Sequence, residues 1–593
     1  MSREIKFSLL YRDMWQSSGK YQPRVDQLIQ IAPVIVEMGC FARVETNGGA
    51  FEQVNLLYGE NPNTAVRAFT SPFNKVGIQT HMLDRGLNGL RMNPVPADVR
   101  KLMYRVKHAQ GVDITRIFDG LNDPRNIIPS IQYAKEGGMI PQASLCITCS
   151  PIHTVDYYVK LADQLIDAGA EEICLKDMAG IGRPYSNGQI IKGIKTRHPN
   201  IPIQYHGHTG PGFSVASMLE AANNGVDYLD VAMEPLSWGM VHPDVITIQA
   251  LLKDAGYIVP EINMDAYMEA RHLTQSFIDD FLGYFIDPGN KIMTSLLVGC
   301  GLPGGMMGSM MADLKGMHNA INLALKQHNK KAVTLNNLLV QLFNEVESIW
   351  SMLGYPPLVT PFSQYVKNIA LMNIFAAAKN EPRFSMIDKD SWNMILGRMG
   401  NLPGKLAPEI IELAKANQLE FYTGDPQAPY PDELERFRAE MKELEWEDGQ
   451  DEEELFEFAM HERQYRDMKS GAAKERFNKE LEQAKEEAGT PIIVKRPVVE
   501  IPMFSFEEIT AIYPNAKPVH APIKGQVIWQ YDLNDASTAP FEGAIYEQGA
   551  NLCYIQNSYG IEPVKVGYGG TIVGTYVKQG AEVQKGEILA FIN

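Results

Sequence analysis

One lysine in the sequence occupies a position where an ordinary structural role would be costly. Lys176 ends the run Ile-Cys-Leu-Lys at 173–176, which is typical of a buried strand, and an Asp and an Ala-Gly turn follow it. Burying an ammonium group without a partner is energetically expensive. Lys176 is therefore either paired with an acid or used by a functional site, and on its own it leaves both interpretations open.

Two histidines follow a second apolar run in the same part of the sequence. The run Ile-Pro-Ile-Gln-Tyr at 201–205 leads into His206, Gly207 and His208. Side chains of a strand alternate between its faces, so the two imidazoles point to the same side. They are either a metal-binding pair or a polar strand end whose hydrogen bonds are satisfied. Together with Lys176, on neighbouring strand ends, they favour a functional site.

The elements that would position these residues form a regular series. Strand-like runs alternate with amphipathic helical stretches, and eight such units predict an α/β fold, the TIM (β/α)8 barrel, because parallel strands need crossover helices. Active sites of such barrels lie at the C-terminal ends of the strands, where Lys176, His206 and His208 fall and where Asp13 ends the first strand. Asp13 is thus a candidate for completing a metal site. The predicted strands are 5–13, 40–46, 76–84, 112–119, 140–148, 171–177, 201–208 and 227–233.

Composition narrows the class of protein. The 593 residues include 54 basic and 71 acidic ones, and the resulting net charge of −17 disfavours nucleic acid as a partner. We find no uninterrupted apolar run of about 18 residues and no secretory signal in the first residues, so neither a membrane span nor export is expected. Six scattered cysteines favour the cytoplasm, and the single Cys-x-x-Cys, at Cys146 and Cys149, is interpreted as core packing.

Three further regions follow the predicted barrel. Residues 260–430 are predicted to be helical, for example over 335–353. Residues 432–488 hold 20 acidic and 10 basic residues at helical spacing, which predicts an exposed helical arm or, alternatively, an arm that docks on a partner. Residues 517–593 are predicted to be mostly β, with glycines at the tight turns.

Nine short stretches, in order along the chain, resemble the carboxyltransferase family of biotin-dependent enzymes. This family includes the oxaloacetate decarboxylase α subunit, the carboxyltransferase-type subunit of pyruvate carboxylase and the pyruvate-handling subunit of transcarboxylase. The resemblance covers roughly residues 1–430 and extends to a carrier-like end. The stretches are RDMWQS (12–17), NGGAFEQV (47–54), LDRGLNG (83–89), RIFDGLND (116–123), LKDMAG (175–180), HGHTGPG (206–212), GLPGGM (301–306), VTPFSQYV (359–366) and PGK (403–405).

The resemblance implies a divalent metal, Zn²⁺, Mn²⁺ or Co²⁺, as cofactor. Its ligands would be Asp13, His206, His208 and Lys176, the lysine being carbamylated by CO₂. It further implies that Arg12, Gln16 and Arg85 contact the 2-oxo acid substrate. The implied domains are a barrel (1–260), a helical funnel (261–430), the acidic arm (431–490) and a biotinyl/lipoyl-like β domain (517–593).

The sequence departs from the family pattern at several positions. Trp15 replaces a histidine. Met92 stands at the position after the LDRGLNG stretch where the family usually has a tyrosine. Gly308 occupies the place of the hydroxyl residue that shuttles a proton between biotin and substrate, with Ser309 next to it as the candidate replacement. In the carrier-like end Tyr559 stands where the lysine that carries biotin or lipoate belongs, so this domain is predicted to carry no cofactor.

Three functional hypotheses follow. The first is a carboxyltransferase subunit that moves a carboxyl group between a 2-oxo acid (oxaloacetate or pyruvate) and biotin on a separate carrier protein. The second, favoured by Gly308 and Tyr559, is a biotin-independent decarboxylase or aldolase. The third is a scaffolding subunit with a vestigial site. The family further implies a homodimer or higher oligomer in the cytoplasm, with membrane decarboxylase subunits as partners in its sodium-pumping members.

Overall fold

Eight parallel strands close into a barrel in chain order, which confirms the TIM-barrel prediction. Every predicted strand is present, and most of the observed strand ends lie a few residues inside the predicted ones. Side chains on both faces of these strands are buried, as expected for parallel strands covered by helices. The strands are β1 (Lys6–Leu9), β2 (Phe41–Gly48), β3 (Gln79–Asp84), β4 (Ile114–Ile117), β5 (Ile140–Cys146), β6 (Glu172–Asp177), β7 (Ile203–Gly207) and β8 (Tyr228–Val231).

The structure is a computed structural model that describes residues 3–300, 306–446, 449–489, 511–529, 544–557, 560–578 and 580–593. Side chains are described for these residues except 299, 300, 306–309, 311, 312 and 489. The chain divides into two compact units, Met1–Ala488 and Gly489–Asn593. None of the described helices has both the length and the apolar composition that crossing a membrane requires.

Helices surround the barrel and connect its strands. The first begins at Tyr11, so the predicted strand 5–13 is wrong beyond Leu9: the backbone NH of Met14 donates to the carbonyl of Leu10, and Asp13 lies in the first helical turn. The helices are α1 (Tyr11–Ser18), α2 (Val25–Glu37), α3 (Gly49–Tyr58), α4 (Pro62–Asn74), α5 (Ala97–Ala109), α6 (Pro124–Glu136), α7 (Val155–Asp167), α8 (Pro184–Arg197), α9 (Ser214–Asn224) and α10 (Val245–Asp254).

A second hydrophobic core lies in the helical region after the barrel. On α14 the buried residues Leu338, Leu342, Val346 and Ile349 recur at helical spacing, and they pack in one cluster with residues of α13 and α15. The predicted helix 335–353 is therefore confirmed. The helices of this region are α11 (Met264–Asp280), α12 (Leu297–Cys300), α13 (Met306–Gln327), α14 (Leu335–Met352), α15 (Phe362–Ala378), α16 (Lys389–Ile395) and α17 (Pro408–Ala416).

The acidic segment is helical, but the prediction of an exposed arm is wrong. Apolar side chains of this segment, among them Phe456, Phe458 and Phe477, are buried in the same cluster as the barrel core. Its acidic residues reach barrel residues, as in the ion pair of 3.0 Å between Arg105 and Glu452. A count of charged residues does not reveal these buried aromatic residues, which lie between the acidic residues in the sequence. The four helices are α18 (Leu434–Glu443), α19 (Glu452–Met460), α20 (Glu462–Lys469) and α21 (Ala472–Gly489).

From Lys517 onward the described residues of the second unit are mostly β, as predicted for 517–593. Two four-stranded sheets have the orders β13-β12-β10-β15 and β11-β14-β16-β9. Strands β12 and β13 pair antiparallel up to Asn557 and Gly560, and Tyr559, predicted to replace the modifiable lysine, lies outside the described residues. The strands are β9 (Lys517–His520), β10 (Gly525–Ile528), β11 (Ile545–Tyr546), β12 (Asn551–Asn557), β13 (Gly560–Lys565), β14 (Gly570–Thr575), β15 (Glu582–Val583) and β16 (Ile588–Ile592).

The chain should remain unbiotinylated when it is produced together with a biotin ligase. A tyrosine phenol cannot form the amide bond through which biotin is attached, and Tyr559 holds the lysine's place in the sequence. Streptavidin blotting and intact mass measure the modification, with a biotin carrier protein from the same cells as the positive control. A streptavidin-reactive chain would contradict the prediction.

Candidate metal centre and active site

The C-terminal ends of neighbouring strands bring the predicted ligands together. On β6 and β7 the parallel register places Lys176 beside His206, and His208 follows the end of β7. Strand β1 pairs with β8 to close the barrel, which places Asp13 of α1 on the same side. Asp13, His206, His208 and one further residue, His242, hold ligand atoms that all lie within 4.8 Å of one another. The predicted clustering is thus observed.

The sequence prediction missed His242. This residue lies in the loop between β8 and α10, more than thirty residues after the His-x-His pair, and no strand pattern leads into it. Its Nε2 lies 2.9 Å from Oδ2 of Asp13. Its position after the last barrel strand could have indicated a place in the site, because the loops that follow barrel strands form the active-site face.

Hydrogen bonds orient the two predicted histidines. His206 Nδ1 lies 2.9 Å from Oδ2 of Asp230, a carboxylate that Arg116 pairs at 2.5 Å, and His208 Nδ1 lies 2.8 Å from the carbonyl oxygen of Met240. A carbonyl or an ionised carboxylate can only accept, so Nδ1 carries the proton in both rings. Each Nε2 therefore offers a lone pair, the arrangement in which metal-binding histidines are held by an outer hydrogen bond.

These lone pairs converge on the carboxylate of Asp13. Its Oδ2 lies 3.2 Å from Nε2 of His208 and 3.7 Å from Nε2 of His206. Burial alone would raise the pKa of Asp13, but the charge of the neighbouring Arg12 holds it well below its usual range, so the carboxylate is ionised. Two imidazole nitrogens and one carboxylate oxygen facing one point fit a divalent cation of the Zn²⁺, Mn²⁺ or Co²⁺ type.

Lys176 lies against this cluster rather than in an ion pair. Its Nζ is 3.1 Å from Nε2 of His206, and none of the ion pairs among the described residues includes it. Burial lowers the pKa of Lys176, against the opposing charge of Asp13. The structural alternative of an ion-paired lysine is therefore not observed in the described part of the chain.

Arg85 offers a charge without a carboxylate partner. It follows β3, and its Nη1 donates to the carbonyl oxygens of Leu90 (3.0 Å) and Arg91 (3.3 Å), while none of the ion pairs among the described residues includes it. Burial, together with the nearby Arg12, lowers the pKa of Arg85 to about 10, so it stays protonated at neutral pH. A guanidinium near Arg12 that has no acidic partner among the described residues suits a substrate carboxylate.

The other two predicted substrate contacts are already engaged in the structure. Arg12 is buried, with Nη2 at 2.6 Å from Oε1 of Glu45 and Nη1 at 3.2 Å from Oδ1 of Asp13. It also donates to the side-chain oxygen of Gln16, which is exposed. These contacts make Arg12 a residue that positions Asp13, and substrate binding by Arg12 and Gln16 stays a prediction.

The remaining predicted positions are distributed as follows. Trp15 is fully buried in the barrel core, so the residue at this departure from the family pattern has a packing role. Cys146 is buried as predicted and donates to the carbonyl oxygen of Asp119. Gly308 and Ser309 lie in α13, but their side chains are outside the described part of the structure, and the role of Ser309 as proton shuttle stays a prediction.

Comparison with known proteins shows which proteins this chain is similar to. A family model described as the conserved carboxylase domain matches residues 300–496, and the HMGL-like model matches residues 125–236. The chain is 29% identical to a pyruvate carboxylase subunit of Methanocaldococcus jannaschii over 73% of this chain and 72% of that protein. It is 28% identical to the methylmalonyl-CoA carboxyltransferase 5S subunit of Propionibacterium freudenreichii over 76% and 85% of the two chains. The chain is a homologue of the biotin-dependent carboxyltransferases.

The carboxyltransferase fold extends to both units of the chain. The carboxyl transferase domain of Rhizobium etli pyruvate carboxylase, solved with pyruvate and biocytin, matches with a TM-score of 0.69 and 20% identity over 96% of this chain and 89% of that one. The chain spans 44% of the longer pyruvate carboxylase chain of that organism. The match to residues 300–496 also includes the acidic helices, which the sequence resemblance had left out.

Proposed function

We propose that this carboxyltransferase homologue moves a carboxyl group between a 2-oxo acid, oxaloacetate or pyruvate, and biotin carried on a separate protein. The observation that carries the proposal is the convergence of metal-type donors at the barrel mouth with a lysine and an arginine that form no ion pair among the described residues. The named relatives, which are subunits of a pyruvate carboxylase and of a transcarboxylase, support the same reaction class.

Separate residues of the chain would bind the metal and the substrate. Asp13, His206 and His208 would hold the divalent ion, together with Lys176 as its carbamate. When bound, the ion supplies a Lewis acid next to the 2-oxo group. Arg85 would bind the substrate carboxylate that is retained, because its guanidinium has no acidic partner in the part of the chain that the structure describes.

The transfer balances without a further reactant. The bond between the methylene carbon of oxaloacetate and its departing carboxyl group breaks, and the electron pair stays on the pyruvate fragment. The carboxyl group forms a bond to N1 of biotin, which gives up its proton, and that proton goes to the methylene carbon. Ser309 is the proposed relay for this proton, since Gly308 has no group that could carry it.

Oxaloacetate decarboxylation by the purified, metal-analysed chain tests the proposal. Pyruvate release that rises when a biotinylated carrier protein is added is the expected result. Equal turnover without biotin would instead indicate an independent decarboxylase. A chain that binds no metal and gives no turnover would indicate a scaffolding role. Size-exclusion chromatography of the same preparation tests the proposed homodimer, and fractionation of the source cells tests the proposed cytoplasmic location.

Replacing Arg85 with glutamine should raise KM for the 2-oxo acid roughly 100-fold, because about 2–3 kcal/mol of charge-assisted hydrogen bonding to the carboxylate is lost. Metal content should stay unchanged, since Arg85 contacts none of the proposed ligands. Steady-state kinetics and metal analysis measure the two quantities. R105Q, which removes an exposed arginine, is the matched control and should behave as the parent chain. An unchanged KM in R85Q would exclude Arg85 from the substrate site.

A further inference from the structure

The contacts of His242 resemble those of the two predicted histidine ligands. It is fully buried, and its ring centroid lies 4.1 Å from that of His208 and 4.6 Å from that of His206. Its Nδ1 lies 3.0 Å from the carbonyl oxygen of Gly207 and its Nε2 lies 2.9 Å from Oδ2 of Asp13. Both nitrogens therefore face oxygen atoms.

These contacts determine which nitrogen offers a lone pair. A carbonyl oxygen can only accept, so Nδ1 of His242 carries a proton and donates it to Gly207. In the neutral ring Nε2 then presents its lone pair to a carboxylate oxygen, which presents lone pairs in return. Two atoms that present lone pairs to each other at 2.9 Å repel unless a cation lies between or beside them.

A divalent ion satisfies the site better than a proton on His242. Oδ2 of Asp13 faces three imidazole Nε2 atoms, at 2.9, 3.2 and 3.7 Å, and a proton shared with His242 would leave the lone pair of His208 still directed at the carboxylate. One ion at the centre would accept all four donors.

We propose that His242 is a ligand of the metal, so that Asp13, His206, His208 and His242 form a set of four protein donors. The inference rests on the metal centre of the proposed function. Three imidazoles with a single carboxylate suit Zn²⁺ or Co²⁺ better than Mn²⁺, which prefers oxygen ligands. The ion would be retained through protein side chains before any carbamate on Lys176 is counted.

X-ray absorption spectroscopy of the Zn²⁺- and Co²⁺-loaded chain, without substrate or biotin, tests the proposal by counting imidazole ligands. Three imidazoles are expected in the parent chain and two in H242A. The dissociation constant for Zn²⁺ should rise by more than about 100-fold in H242A, beyond what loss of an outer hydrogen bond typically costs. Added imidazole should restore Zn²⁺ binding to H242G, because a free ring can occupy the vacated position.

The control is H153A, which removes a buried imidazole that contacts Ser150 and none of the four donors. Its metal affinity and imidazole count should equal those of the parent chain. An imidazole count of two in the parent chain, or an unchanged dissociation constant in H242A, would overturn the role of His242 while leaving the proposed function intact. A parent chain that binds none of Zn²⁺, Co²⁺ and Mn²⁺ would overturn both.

Discussion

Replacing Asp13 with asparagine should reduce the biotin-dependent turnover of oxaloacetate about a thousandfold. The carboxylate oxygen Oδ2 is the point on which the imidazole Nε2 atoms converge, and an amide group of the same size offers no charge to a divalent ion. A metal centre supplies several kcal/mol of charge stabilisation in the reaction, and about 4 kcal/mol corresponds to three orders of magnitude in rate. Steady-state kinetics at saturating carrier, with metal analysis of the same sample, measures both effects.

The matched control is D163N, which alters a carboxylate on the outer helix α7 that pairs with Arg197 and His198. This variant should keep its metal and its turnover. Circular dichroism of D13N should remain that of the parent chain, because Arg12 keeps its ion pair with Glu45. If D13N retained both metal and turnover, the cluster would not be the reaction centre.

Replacing Lys107 with methionine should lower the free energy of unfolding of the first unit by roughly 3 kcal/mol, the scale measured when one partner of a buried ion pair is removed. Lys107 Nζ lies 2.9 Å from Oε1 of Glu52 and 3.2 Å from Oε1 of Glu457, and all three side chains are buried. Burial raises the pKa of Glu457 to about 8, whereas Lys107 and His461 together outweigh burial and lower the pKa of Glu52. Without Lys107 the Glu52 carboxylate loses its counter-charge.

Urea unfolding and limited proteolysis within 432–488 measure this loss, because Glu457 belongs to α19 while Lys107 belongs to α5 of the barrel. K101M, at an exposed position of the same helix, should leave both measurements unchanged. The double variant K107M/E52Q should recover part of the stability, since it removes the unpaired charge. Equal stability of K107M and the parent chain would show that the ion pairs of Lys107 with Glu52 and Glu457 do not hold the acidic helices on the barrel.

Strand periodicity predicted the barrel because its signal is local. Each strand is a short apolar run between helical stretches, and eight such runs are enough to specify the closed sheet. The same signal located Lys176, His206 and His208, because functional residues at the ends of barrel strands are a general property of the fold. Asp13 was also found, although the structure places it in a helical turn rather than in the strand.

The features that the sequence did not reveal depend on contacts between distant residues. His242 sits in a loop without periodicity, and only the closed barrel brings it to Asp13. The acidic helices looked solvated because charge count dominates their composition, whereas Phe456 and Phe458 bury them against the barrel core. Arg12 was assigned to the substrate because of a motif, but its contacts with Glu45 are set by the fold.

The pairing of β1 with β8 means that the proposed metal site spans the seam of the barrel. Asp13 follows the first strand, whereas His206 and His208 follow the seventh and His242 the eighth. During synthesis the chain can assemble this ligand set only after its eighth strand has emerged and the barrel has closed. Because the ion would bind the closed form and not the open one, it would stabilise the barrel by mass action. Metal binding would then be a late step in the formation of the folded protein. Metal-starved cells would accumulate chains whose first and last strands separate most readily.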